Sequence, residues 1–193
     1  MKSYKTVLKS AESSFIEKKS EFISRISPVG TQQEALDFIL KTRESHKKSS
    51  HNCYGYIIRG GVERYSDDGE PSGTAGMPIL EVLRSHGLFD LVCVVTRYYG
   101  GIHLGAGGLT RAYTKAAADS VKSAQVITMK SAQEVRVVAD YKLYEQTRAE
   151  LLKAGAVILT ESFAEAIEII AVLPENSEIG EVIQKRYYNF VEK

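Results

Sequence analysis

The apolar positions change period several times along the chain, and each change marks a predicted element. Residues 4–9 and 13–28 alternate apolar and polar side chains, with Phe15, Glu17, Phe22, Ile23 and Ile26 carrying the pattern. They predict extended segments able to close as a hairpin. Thr31-Gln32-Gln33-Glu34 has the form of a capping box, in which hydroxyl and carboxylate satisfy each other's free backbone N–H groups. The helix that follows gathers Ala35, Leu36, Ile39 and Leu40 on one side. A polar, basic link, Lys47-Lys48-Ser49-Ser50, leads into a strand over 52–59, and Gly60-Gly61 reads as a hairpin turn. Pro78 fits the first turn of a helix bearing Ile79, Val82 and Leu83, with Gly87 as its stop. Residues 91–96 form a continuous apolar, β-branched run and predict a strand buried on both faces. An alanine-rich helix follows over 109–122, where Ala112, Ala116, Ala117 and Ala118 predict close packing on a sheet.

The pattern shifts again near 123–128, which divides the chain into 1–125 and 126–193. The second part reads as strand 132–139, helix 141–153 with Asp140 as N-cap, and strands 157–162 and 166–173 joined by a hairpin around Phe163-Ala164. A helix from Ser177 closes it. That β-α-β-β-α order is the ferredoxin-like arrangement. The expected class is α+β, in two domains, without internal repeats or low-complexity segments.

Twelve of the fifteen glycines fall within residues 51–112, a density that a plain connector does not need. They cluster in two charged loops, and loops on a rigid scaffold are where binding concentrates. One loop is acidic and holds Asp67, Asp68 and Glu70. The other follows the apolar strand and runs Arg97-Tyr98-Tyr99-Gly100-Gly101, then His103, Gly105, Gly107, Gly108 and Arg111. A glycine loop running into a helix offers free N–H groups and the positive end of the helix dipole, which favour an anion. Arg97 at the strand end and Arg111 in the first turn could add bidentate contacts to phosphate. The alternative is a tight strand-to-helix turn with no ligand. The spacing matches neither a P-loop nor a dinucleotide fingerprint. Adjacent strand residues face opposite ways, so one of Tyr98 and Tyr99 is expected in the site, where it could stack on a base, and the other in the core.

Asp67, Asp68 and Glu70 resemble a hard-cation ligand set, yet Asp-Asp-Gly and Glu-Pro are ordinary turn chemistry. They could instead pair with Arg97 or Arg111 and hold the site together. No metal and no cofactor are expected. His51 and His103 are the available acid–base groups near the loops. No nucleophile–base arrangement accompanies them, so no catalytic residue is assigned.

Val94 to Tyr113, VVTRYYGGIHLGAGGLTRAY, together with Ser66 to Pro78, SDDGEPSGTAGMP, resembles the signature of the YigZ/IMPACT family. The resemblance runs over the whole chain. It implies an N-terminal domain resembling the second domain of a small-subunit ribosomal protein. It also implies a small C-terminal ferredoxin-like domain resembling one of elongation factor G. Bacterial members have no established reaction, and the eukaryotic relatives regulate translation through a further domain that this chain lacks. The resemblance therefore implies contact with RNA or a ribosome-associated protein, in translation or its regulation. A phosphate-directed enzyme and a purely protein–protein module are the alternatives.

Composition narrows the picture modestly. At 44% hydrophobic and 25% charged the chain is ordinary for a soluble globular protein. No apolar run is long enough to span a bilayer and the first residues lack a signal-peptide core, so a cytoplasmic protein is expected, with no membrane partner. Oligomeric state is not legible. Cys53 and Cys93 sit far apart in apolar strands and read as buried free thiols. Residues 1–125 carry 17 basic and 13 acidic side chains, a surplus of +4, and residues 126–193 carry 8 and 11, or −3. That offset falls short of the basic stripe of a duplex-binding protein.

Overall fold

The structure is a computed structural model that describes residues 3–175, 177 and 184–192, the last segment by its backbone path. The chain forms two compact units, one of Tyr4–Ile127 and one running from Thr128.

In the first unit the strands are β1 (Tyr4–Val7), β2 (Ala11–Glu17), β3 (Ser20–Pro28), β4 (His51–Ile58), β5 (Val62–Ser66) and β6 (Leu91–Tyr98). The helices are α1 (Gln32–Ser45), α2 (Gly76–Ser85) and α3 (Ala106–Ser123). Five strands make one sheet in the order β2-β3-β6-β4-β5, and every pairing is antiparallel. The predicted hairpin closes inside the 13–28 stretch, between β2 and β3. β6 is buried on both faces as its apolar run predicts, but in an antiparallel sheet rather than the parallel layout with which such runs are associated. Helices covering both sides account for it. Leu91, Cys93 and Val95 pack with Phe22, Ile79 and Tyr113 under α2 and α3, while Val92 and Val94 pack with Ala35, Ile39 and Tyr56 under α1.

Two local expectations change. Thr31 does cap α1, its hydroxyl accepting from the Glu34 N–H at 3.2 Å, but the Glu34 carboxylate takes the N–H of Gly30 rather than that of Thr31, at 2.7 Å. On α1 the buried positions are Ala35, Ile39 and Thr42. Leu36 and Leu40 lie about a quarter-turn or more round the helix from that stripe and are exposed.

The second unit holds β7 (Val126–Ala139), α4 (Tyr144–Lys153), β8 (Val157–Phe163), β9 (Ile167–Pro174) and β10 (Gln184–Glu192). Within this unit β10 pairs β7, β7 pairs β9 and β9 pairs β8, all antiparallel, which is the split order of a ferredoxin-like domain. α4 starts at Tyr144, not at 141, and Asp140 does not cap it. The Leu143 N–H donates to the Asp140 carbonyl and closes a turn there instead. The helix expected from Ser177 falls mostly outside the described residues, and Gln184–Glu192 is a strand paired with β7.

Candidate functional site

Strand parity assembles the site at one end of the first sheet. Residues 91, 93, 95 and 97 of β6 share a face, and Arg97 lies directly across from His51 on β4 and Phe22 on β3. Arg97 is only 5% exposed. Its Nη1 donates to Glu70 Oε1 at 2.7 Å and its Nη2 to Ser20 Oγ at 3.2 Å, while Nε is buried with no partner. The same Glu70 oxygen accepts from the Tyr113 hydroxyl at 2.8 Å. Burial pushes that hydroxyl's pKa up, with Cys53 and Glu70 adding to the effect, so it remains a donor. His51 Nδ1 donates to the Asp68 carbonyl at 2.9 Å, leaving Nε2 3.9 Å from Glu70 Oε1.

The three carboxylates of the acidic loop have three different fates. Asp67 accepts from the N–H groups of Gly73, Ala75 and Gly76 at 2.8, 3.0 and 2.8 Å, supplying the cap that Ala75 lacks at the start of α2. Asp68 accepts from the Asn52 N–H and from Arg43 Nη2, each at 2.6 Å. These two hold the loop to its surroundings, which is turn and pairing chemistry rather than a cation ligand set. Of the three, Glu70 is the one that pairs with Arg97.

A cleft of about 370 Å³ opens there, lined among others by His51, Glu70, Arg97, Tyr99, His103 and Gly105. Tyr99 is 43% exposed, its ring 5.5 Å from that of His103 and 5.3 Å from the Arg97 guanidinium carbon. Tyr98 points the other way, its hydroxyl 2.8 Å from His46 Nδ1. Gly100 is required by contact: a Cβ there would fall 1.9 Å from the Lys19 carbonyl oxygen. Gly100 and Gly101 thus connect the site without lining it.

α3 begins at Ala106, three residues before the predicted start. Gly105, at φ 73°, is its N-cap, and no side chain caps the helix. Gly107 and Gly108 are therefore in the first turn of the helix rather than in the loop before it. Arg111 moves to the second turn and lines a separate hollow of about 170 Å³ with Lys18 and Lys115. Arg97 and Arg111 accordingly line different concavities. Sequence reading missed Ser20 and Tyr113. Ser20 shares the parity of Phe22, and Tyr113 falls four residues after Leu109 on the buried face of α3, so periodicity carried a signal for both. Among the described residues no cluster of His, Cys, Asp and Glu is arranged to hold a metal, and no helix is long and apolar enough to cross a membrane.

The chain is similar in sequence and in fold to known proteins. The pattern of the Impact N-terminal domain matches residues 18–121. The IMPACT family member YvyE of Bacillus subtilis (strain 168) is 39% identical over 175 residues, which is 90% of this chain and 81% of that protein. The IMPACT family member YigZ of Escherichia coli (strain K12) is 40% identical over 100 residues, 50% of this chain and 49% of its own. A crystal structure described only as that of a hypothetical protein superposes with a TM-score of 0.66 at 28% identity, covering 90% of this chain and 86% of its own.

Proposed function

The chain belongs to the IMPACT family, and on that footing we propose that it is a binding protein acting in translation or its regulation. Its cleft at the end of β6 takes a phosphate-bearing unit of single-stranded RNA. The observation that carries this reading is Arg97. It is 5% exposed, yet its Nε lacks any partner, on the wall of a cleft also lined by Gly105 and Ala106 at the uncapped start of α3. Free N–H groups and the helix dipole favour an anion at that wall. The exposed ring of Tyr99 supplies a face on which a base can stack, worth about 1–3 kcal/mol.

Fluorescence anisotropy with labelled single-stranded RNA tests the reading. Wild-type binding should weaken with salt, and Tyr99→Ala should weaken it by about five- to a hundredfold. Absence of wild-type binding, or indifference to Tyr99→Ala, would sink it. A partner that copurifies and survives ribonuclease would point to a ribosome-associated protein instead.

A second reading is favoured by one contact. The Nδ1 bond to Asp68 leaves His51 Nε2 free beside the buried Glu70, which is the posture of a general base. The cleft would then process a nucleotide or RNA phosphate. Turnover of a nucleotide panel that disappears in His51→Ala would replace binding by catalysis as the function.

A further inference from the structure

The hollow beside the cleft carries charge that the fold leaves unused. It is lined by Phe15, Glu17, Lys18, Leu104, Arg111 and Lys115, together with Gly108 of the first turn of α3. Leu104 lines the cleft as well, so the two concavities adjoin. Lys115 is engaged, its ammonium 2.9 Å from Asp119 and 3.6 Å from the centre of the Phe15 ring. Lys18 and Arg111 are exposed and have no ion-pair partner among the described residues. Glu17 is the one carboxylate on the wall.

The placement of Lys18 is itself informative. Glu17 pairs with Ser20, so Lys18 and Lys19 form a two-residue hairpin loop, and both have positive φ, 45° and 64°. That loop favours Asn-Gly, because lysine has a Cβ to accommodate in a left-handed backbone. Two lysines there carry a conformational cost that a plain turn avoids. The turn is also fixed to the ligand loop: Gly100 sits against the Lys19 carbonyl, and its N–H donates to Ser20 Oγ at 3.2 Å. The lysines are therefore held in register with Tyr99, one residue before Gly100.

We infer that this hairpin tip and Arg111 form a second phosphate site, so that the ligand is a stretch of single-stranded nucleic acid spanning at least two nucleotides rather than a lone nucleotide. The inference rests on the cleft reading above and extends it. One base occupies the Tyr99 side, and the neighbouring phosphate of the same strand meets Lys18 and Arg111. Single-stranded chains are bound in this way, by a stacking platform followed by a basic track.

The test compares adenosine monophosphate with hexaadenylate on the full-length protein, for wild type, Lys18→Asn/Lys19→Gly, Arg111→Ala and Tyr99→Ala. Wild type should bind hexaadenylate about tenfold or more tightly than the mononucleotide, and its affinity should fall steeply with salt. Lys18→Asn/Lys19→Gly and Arg111→Ala should each weaken hexaadenylate several-fold. Each should flatten the log–log salt slope, by at most about 0.7 because the two share one phosphate, and leave the mononucleotide unaffected. The hairpin variant carries the residues this turn prefers, so lost binding could not be blamed on unfolding. Equal affinity of wild type for both probes overturns the second site. So does unchanged hexaadenylate binding in both basic variants while Tyr99→Ala still weakens it, a result that leaves the cleft reading intact. If wild type binds neither probe, both readings fall.

Discussion

Replacing Arg97 by methionine asks whether the wall of the cleft is held by charge. The Arg97 and Glu70 side chains are 6% and 3% exposed and meet at 2.7 Å. Removing the guanidinium leaves the Glu70 carboxylate buried with the Tyr113 hydroxyl as its hydrogen-bond donor and His51 alongside. Breaking a buried pair from one side costs about 3–5 kcal/mol, a large part of the roughly 5–15 kcal/mol that stabilises a typical domain. Removing both charges, as Arg97→Met/Glu70→Leu, takes away the stranded carboxylate and should return stability to within about 1–2 kcal/mol of wild type. The chain has no tryptophan to report the transition. It does have Cys53 and Cys93, both buried in the first unit, and burial pushes both thiols up in pKa. The rate of thiol modification across a urea series therefore reads the opening of that unit alone. Arg97→Met costing less than about 1 kcal/mol, or a double variant costing the sum of its singles, would refute the pairing argument.

Lys18→Asn/Lys19→Gly should raise stability by about 1–2 kcal/mol, as a higher urea midpoint, because it relieves two left-handed lysines. Gly100→Ala should lower it by about 1–3 kcal/mol or more, since its Cβ collides with the Lys19 carbonyl and must displace the hairpin. The His46 ring contacts the Arg25 guanidinium and the Tyr98 hydroxyl, and burial first, then Arg25, holds its pKa below the ordinary 6.5. A folded-state pKa lowered in this way contributes stability that is present above the unfolded value and lost as pH falls through the folded one. His46→Gln should therefore flatten the decline of the urea midpoint between about pH 7 and pH 5.

Much of the fold was legible because burial imposes a period. The alternation in β3 and the apolar run of β6 each carry it. What periodicity does not carry is partnership. A strand covered by helices on both faces looks the same in a parallel or an antiparallel sheet, so the run at 91–96 left the direction of its neighbours open. Asp67, Asp68 and Glu70 are equivalent in sequence. Their fates follow from the turn, with Asp68 at φ 46°, and from a partner 27 residues away on β6. The start of α3 was misread because glycine usually marks a loop, whereas its cost in the first turn of a helix is small. In 184–192, Tyr187, Tyr188, Phe190 and Val191 favour a strand on propensity, a signal that an expected helix from Ser177 overrode.

The central position of β6 also sets how the cleft can respond to a ligand. Its backbone is bonded along both edges, to β3 and to β4, and its side chains are covered on both faces. Its amides should be among the last in the unit to exchange with solvent. The arginine at its end is then preorganised, so that holding it in place adds little ordering cost when a ligand arrives. Adaptation is left to residues 99–104, between the last residue of the strand and the glycine that opens α3. Exchange in that short segment should slow on ligand binding while β6 stays unchanged, giving a cleft with a fixed wall and one adjustable lip.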